Sequence, residues 1–196
     1  MIETDHTKQF IAHSLMQLIK EMPLEKISVV QIAENCGLNR HTFYYHFMDK
    51  HDLIRWIFDR DMYKQLEMSS LNDNTSDCCT LFIRRIIDIM YDNKSFYVNA
   101  FYFSGQNSLN EHLYNFLYSF RVKQIDTILD GRFIPTEVKN AIADYFTSAI
   151  FGLIMRWANN KMPNPSDVFF TKYLHNMHIA CQSMEFLIEK YIDEHI

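Results

Sequence analysis

At 196 residues, with 48% hydrophobic and 15% aromatic side chains, the chain carries enough apolar material for one large or two small domains, which excludes a disordered or fibrous class. Four glycines and four prolines leave few tight turns, so long helices are expected rather than many short strands. A net charge of -5 and a pI near 6.0 exclude a globally basic nucleic-acid binder, so any such footprint must be local.

The opening MIETDHTKQF lacks the basic-then-apolar order of a signal peptide, and no run reaches the roughly 18 apolar residues that span a bilayer. Cys36, Cys78, Cys79 and Cys181 form no CxxC pair, so free thiols in a reducing cytoplasm are expected. Phe10, Ile11, Leu15, Leu18, Ile19 and Met22 recur at steps of three and four, predicting an amphipathic helix over 4–22 that Pro23 ends. Ser28 with Gln31 three residues on is a capping-box pattern. The short helix it opens turns Ile32, Ala33 and Cys36 inward, and Gly37 closes it. Asn39 caps a helix over about 40–47, and Lys50 opens a longer one with Leu53, Ile54, Ile57, Met62 and Leu66 as its buried stripe. The polar SSLNDNTSD at 69–77 reads as a loop. CCTLFIRRIIDIMY, SFYVNAFYF and a helix over 108–130 follow, then GRFIP at 131–135. A helix over 136–160 is stopped by NKMPNPS, and the last runs over 166–192. The expectation is an all-α fold of about nine helices, divided into a three-helix domain over 1–48 and a larger helical domain over 49–196.

Ala33, Gly37 and Phe43 stand at the spacing A-x3-G-x5-hydrophobic, which a helix-turn-helix requires. A small residue lets the second helix approach, glycine permits positive φ in the turn, and an apolar residue anchors the second helix. With Phe43 and Phe47 turned inward, Arg40, His41, Tyr44 and Tyr45 point outward together. Tyr44 and Tyr45, about 100° apart, cannot both be buried in so short a helix. Arg40 and His41 lie at the helix start, where recognition helices reach base edges. Thr42, Tyr44, Tyr45 and His46 can donate to phosphates, and a tyrosine ring or the Thr42 methyl can meet a thymine methyl. Lys50, at the start of the next helix, is expected to clamp a phosphate. No acidic residue falls between Leu38 and Met48. Together with Ser28 and Asn39, these residues form a candidate DNA-binding set.

The stretch ISVVQIAENCGLNRHTFYYHFMDKHDLI resembles the DNA-binding signature of the TetR family of transcriptional regulators, through Ile32, Ala33, Gly37, Phe43, Tyr44, His46, Phe47, Lys50 and Leu53. The resemblance implies an all-helical homodimer on a double-stranded palindromic operator, with a ligand-responsive second domain and no catalysis. Where some members carry a base-reading Arg before the turn, this chain has Val30, so sequence reading falls to the second helix.

The second half is rich in aromatic residues. Trp56, Phe96, Tyr97, Phe101, Tyr114 and Trp157 are candidates to line an effector pocket, with ordinary core packing the commoner role for any one of them. MYDNKSFYVNAFYFSGQNSL and FGLIMRWANN resemble the C-terminal domain of TetR-like regulators related to the activator of dihydroxyacetone kinase genes. That resemblance implies control by a protein coactivator in place of a small molecule. Small residues Ala141, Ser148, Ala149 and Gly152, beside Ile150, Leu153 and Met155, suit close helix approach; the last helix offers Phe170, Leu174, Met177, Met184, Leu187 and Ile188. By resemblance, these two helices meet their symmetry mates in a four-helix bundle. His175, His178 and Cys181 share one helix, but the outer two diverge by about 120° and suit one ion poorly, so no metal or other cofactor is expected. Cys78 and Cys79 as redox sensors, and His112 or Tyr114 as acid–base groups of an enzyme, lack supporting neighbours.

Overall fold

The computed structural model describes residues 2–67, 76–103, 108–165 and 168–195, with side chains described at all of these except 2–4, 64–67, 76–79, 168–175, 177, 178 and 181. Among the described residues nine α-helices succeed one another: α1 Ile2–Leu18, α2 Val29–Asn35, α3 Arg40–His46, α4 Lys50–Glu67, α5 Ser76–Asp92, α6 Lys94–Tyr102, α7 Leu109–Leu129, α8 Thr136–Asn159 and α9 Val168–His195. A single 3₁₀ turn, Leu24–Lys26, lies between α1 and α2, and there is no strand among the described residues. Most of the loop expected at 69–77 lies outside them.

The first helix ends four residues earlier than its apolar spacing predicts. Pro23 has no N–H and disfavours helical backbone at the residue before it, so the chain unwinds beforehand through Lys20 N–H to Gln17 O and Glu21 N–H to Leu18 O. The capping box at α2 forms in full. Ser28 Oγ accepts from the Gln31 N–H at 3.2 Å, and Gln31 Oε1 accepts from the Ser28 N–H at 2.8 Å. At the other end Gly37 takes φ +71°, Leu38 N–H reaches Ala33 O at 2.9 Å, and Gly37 N–H reaches Glu34 O at 3.0 Å. That pair of bonds is a Schellman closure, and it aims the chain into α3. Ser14 of α1, fully buried, donates to Ile32 O at 2.7 Å and accepts from Asn35 at 3.1 Å, pinning α1 to α2.

Burial follows helical spacing, and the main core crosses the expected boundary at residue 48. Ile11, Leu15, Ile32, Phe43 and Phe47 belong to one cluster with Leu53, Ile57, Phe58, Ile86, Phe96 and Trp157. A smaller cluster at the far end joins α7, α8 and α9 through Ile125, Leu129, Phe146, Met184 and Ile188. Met184 and Ile188, expected at a symmetry interface, therefore pack inside the protomer, as does Ile150 at 7% exposure. Their spacing marks an inward face of α9; its outward side carries Ile179, Phe186 and Leu187. The α7–α8 corner passes through left-handed Asp130 and Gly131. Arg132 secures it by donating to Leu129 O and Ile128 O and by pairing its two terminal guanidinium nitrogens with Glu189 at 2.6 Å.

Candidate nucleic-acid interface

The short helix α3 is shaped by its two ends and one face. Asn39, in extended backbone, accepts the Thr42 N–H at 2.9 Å and the Thr42 hydroxyl at 3.1 Å, satisfying an N–H that seven residues cannot satisfy internally. Phe43 and Phe47 are 0% and 2% exposed, with ring centroids 5.8 Å apart, and each contributes roughly 1.5–3 kcal/mol of apolar burial. Their inward direction turns the opposite face to solvent. Arg40 and His41 are exposed, and Tyr44 and Tyr45 stand 45% and 78% exposed. The Arg40 guanidinium lies 5.2 Å over the Tyr44 ring, an arrangement that stiffens a long side chain. Tyr45 meets His46 edge-on at 4.9 Å. The expected residues of α3 thus share one side, bordered by exposed Met48 and by half-buried Thr42 and His46. Ser28 and Asn39 hold helix ends, and Val30 of α2 is 41% exposed.

Lys8 is a cation that periodicity did not single out. Its ammonium lies 5.5 Å from the centre of the Phe47 ring, so α1 brings a positive charge beside the end of α3. Burial, and then the Lys8 charge, hold the His46 imidazole below its ordinary pKa. No local sequence signal marks this approach, because it is made across α1 and α3.

Lys50 opens α4, where its spacing places it, and its bonds are made inside the protomer. Its Nζ donates to Ile27 O at 2.7 Å and Leu24 O at 3.0 Å and lies 4.7 Å over the Phe103 ring. Two of its three protons thus close the 3₁₀ turn onto α4, and burial lowers its pKa against the opposing pull of Glu25. The ammonium thus ties the turn before α2 to the start of α4. His51 stacks on the same Phe103 ring at 4.4 Å, so the start of α4 grips the end of α6.

The six candidate pocket residues take different places in the fold. Phe96, Tyr97, Phe101 and Trp157 are buried in the main core. Half-buried Trp56 meets Phe47 edge-on at 5.9 Å. Tyr114 is half-exposed; its hydroxyl donates to Asp144 at 3.0 Å and lies 3.3 Å from Ser148. His112 is paired with Asp59 at 2.7 Å. No group of three metal-ligating side chains occurs among the described residues; the side chains of Cys78, Cys79, His175, His178 and Cys181 lie outside them. No described helix is long and apolar enough to cross a membrane.

Residues 11–57 match the family model described as "Bacterial regulatory proteins, tetR family", and residues 79–179 match "Transcriptional regulator C-terminal region". Over 69 residues the chain is 30% identical to the HTH-type dhaKLM operon transcriptional activator of Lactococcus lactis, a match spanning 35% of this chain and 34% of that protein. Two solved structures share the fold. The dihydroxyacetone kinase operon activator DhaS superposes with a TM-score of 0.53 at 16% identity, over 95% of this chain and 96% of the other. NalD, the secondary repressor of a multidrug efflux pump in Pseudomonas aeruginosa, superposes with a TM-score of 0.63 at 14% identity, over 89% and 95%.

Proposed function

The chain belongs to the TetR family of bacterial transcriptional regulators, its N-terminal domain being the family's DNA-binding unit, and on that premise we propose that α3 reads operator DNA as one half of a two-fold dimer. The observation that carries the reading is the division of α3 into a buried Phe43/Phe47 face and an exposed face of Arg40, His41, Tyr44 and Tyr45. Arg40 and His41 address base edges from the start of the helix. Tyr45 meets a phosphate or a thymine methyl, and Thr42, Tyr44 and His46 donate to the backbone. Ser28 and Asn39 act by holding the helix ends, and Lys8 offers a cation to the DNA backbone. Lys50 serves as a positioning residue, joining the turn before α2 to α4. Such a regulator works in the cytoplasm, beside the chromosome.

The symmetry partner is proposed to cover α8 and α9. Tyr145, Ile179, Phe186 and Leu187 are 70%, 49%, 66% and 46% exposed, next to exposed Ala141, Ser148, Ala149 and Gly152. A Cβ placed on Gly152 meets nothing within 4 Å, which leaves room for a second helix. Control would pass through the grip of Lys50 and His51 on Phe103, with an effector or partner shifting the population of recognition-helix spacings. A protein coactivator is the second reading, since Phe96, Tyr97, Phe101 and Trp157 are buried in the main core.

The test is operator binding by Tyr45→Ala. Loss of binding with unchanged helical content supports the reading; undiminished binding removes α3 from the interface.

A further inference from the structure

A cleft of about 610 Å³ opens between α1 and the α5–α6 turn, away from α3. A second, of about 260 Å³, adjoins it and shares His13, Asp92 and Asn93. The inner wall of the larger cleft is fixed. The Asp61 carboxylate accepts from Arg60 at 2.6 and 3.0 Å and from the buried Tyr97 hydroxyl at 3.1 Å, so its charge is already neutralised. Asp92, by contrast, is exposed and makes no hydrogen bond or ion pair among the described residues. It sits at the C-terminal end of α5, where the helix carbonyls add to its negative potential. Across the cleft stands Phe10, 62% exposed, with His6 and His13 one turn to either side. The larger cleft therefore offers one uncompensated carboxylate, one bare aromatic ring and a volume suited to a small molecule. Those features select a cation with a flat apolar body, because Asp92 supplies the counter-charge and Phe10 a surface for both ring and cation.

We propose that this cleft binds small aromatic amines, with Asp92 as counter-ion and Phe10 as platform, and that occupancy holds α1 of the DNA-binding unit against the α5–α6 turn. Binding is independent of the operator reading above; only its consequence for DNA rests on that reading.

The experiment is calorimetric titration of the full chain with phenethylamine, with neutral 2-phenylethanol and anionic 3-phenylpropionate as comparators. Phenethylamine is expected to bind with a dissociation constant on the order of a millimolar or tighter, and at least tenfold more tightly than either comparator. Asp92→Asn should erase that preference for charge, and Phe10→Ala should weaken all binding; both positions are exposed, so the thermal melt should be preserved. Equal affinity for amine and alcohol, amine binding unaltered in Asp92→Asn, or no heat at millimolar amine overturns the site. Operator affinity measured with and without saturating phenethylamine should differ at least threefold. An unchanged value, with calorimetric binding intact, overturns the coupling to α1, whereas failure of the apo protein to bind any operator counts against the DNA reading instead.

Discussion

Residues on α3 and beside it are proposed to divide into readers and holders, a division that mutation can measure. Arg40→Ala should cost about 1–3 kcal/mol in operator affinity and relax preference at one position of each half-site. Lys50→Met should behave differently. Its ammonium bonds two main-chain carbonyls, so its loss should lower folding stability by about 1–3 kcal/mol while leaving the salt dependence of DNA binding nearly unchanged. A reduced salt slope with unaltered stability would restore Lys50 to the phosphate contacts. The motif marked Lys50 by position, yet position alone could not reveal that carbonyls from Leu24 and Ile27 converge on it. His46 carries a pH prediction. Its folded pKa lies below the unfolded value of about 6.5, so above that pH the group is neutral in both states and adds no pH dependence. As pH falls below about 6.5 the unfolded chain takes up the proton first, and stability declines until the lowered folded pKa is passed. The urea midpoint should therefore drop less between pH 7.5 and pH 5.5 in His46→Gln than in the parent chain.

Among elements, the two helices of the helix-turn-helix are the shortest, and their ends matter most. Asn39→Ala removes the cap of a seven-residue helix and should cost about 1 kcal/mol, weakening operator binding through the placement of α3. Gly37 holds φ +71° with open space where a Cβ would stand, so Gly37→Ala should cost about 1–2 kcal/mol from backbone strain alone. Gly37→Asn should cost less, because asparagine tolerates that region; equal losses in thermal denaturation would point to a steric cause. These features were legible because they are local: Ser28 with Gln31, Asn39 before Arg40, and Gly37 between helices each act over a few residues. The 3₁₀ turn at Leu24–Lys26 was not legible, since Glu25 and Lys26 carry no signal for it and the turn is held from afar by Lys50. The early end of α1 is hidden in the sequence because Ile19 and Met22 continue the apolar spacing after the backbone has left the helix.

Across the whole molecule, one core runs from Ile11 through Phe43 and Ile57 to Trp157, joining α1 and α3 to α4 and α8. Fluorescence of Trp56 and Trp157 and far-ultraviolet circular dichroism should therefore report one coincident unfolding transition; two separated transitions would place a boundary near residue 48. The face proposed for dimerisation combines a side that spacing marks with one that it does not. Small residues on α8 identify an outward side, but the inward place of Met184 and Ile188 is not readable, because helical spacing reveals an apolar stripe without saying which neighbour covers it. Phe186→Glu, doubled by two-fold symmetry, should leave monomers in sedimentation at micromolar concentration and abolish operator binding. The most direct test of α3 as the reading element of a dimer is selection of binding sequences from random duplex DNA, followed by affinity against salt for the parent chain and for Arg40→Ala/Tyr45→Ala. An inverted repeat, a steep loss of affinity with salt, and loss of recognition in the double variant are expected. An enriched sequence without two-fold symmetry, or one that the folded double variant binds equally well, would contradict that role of α3.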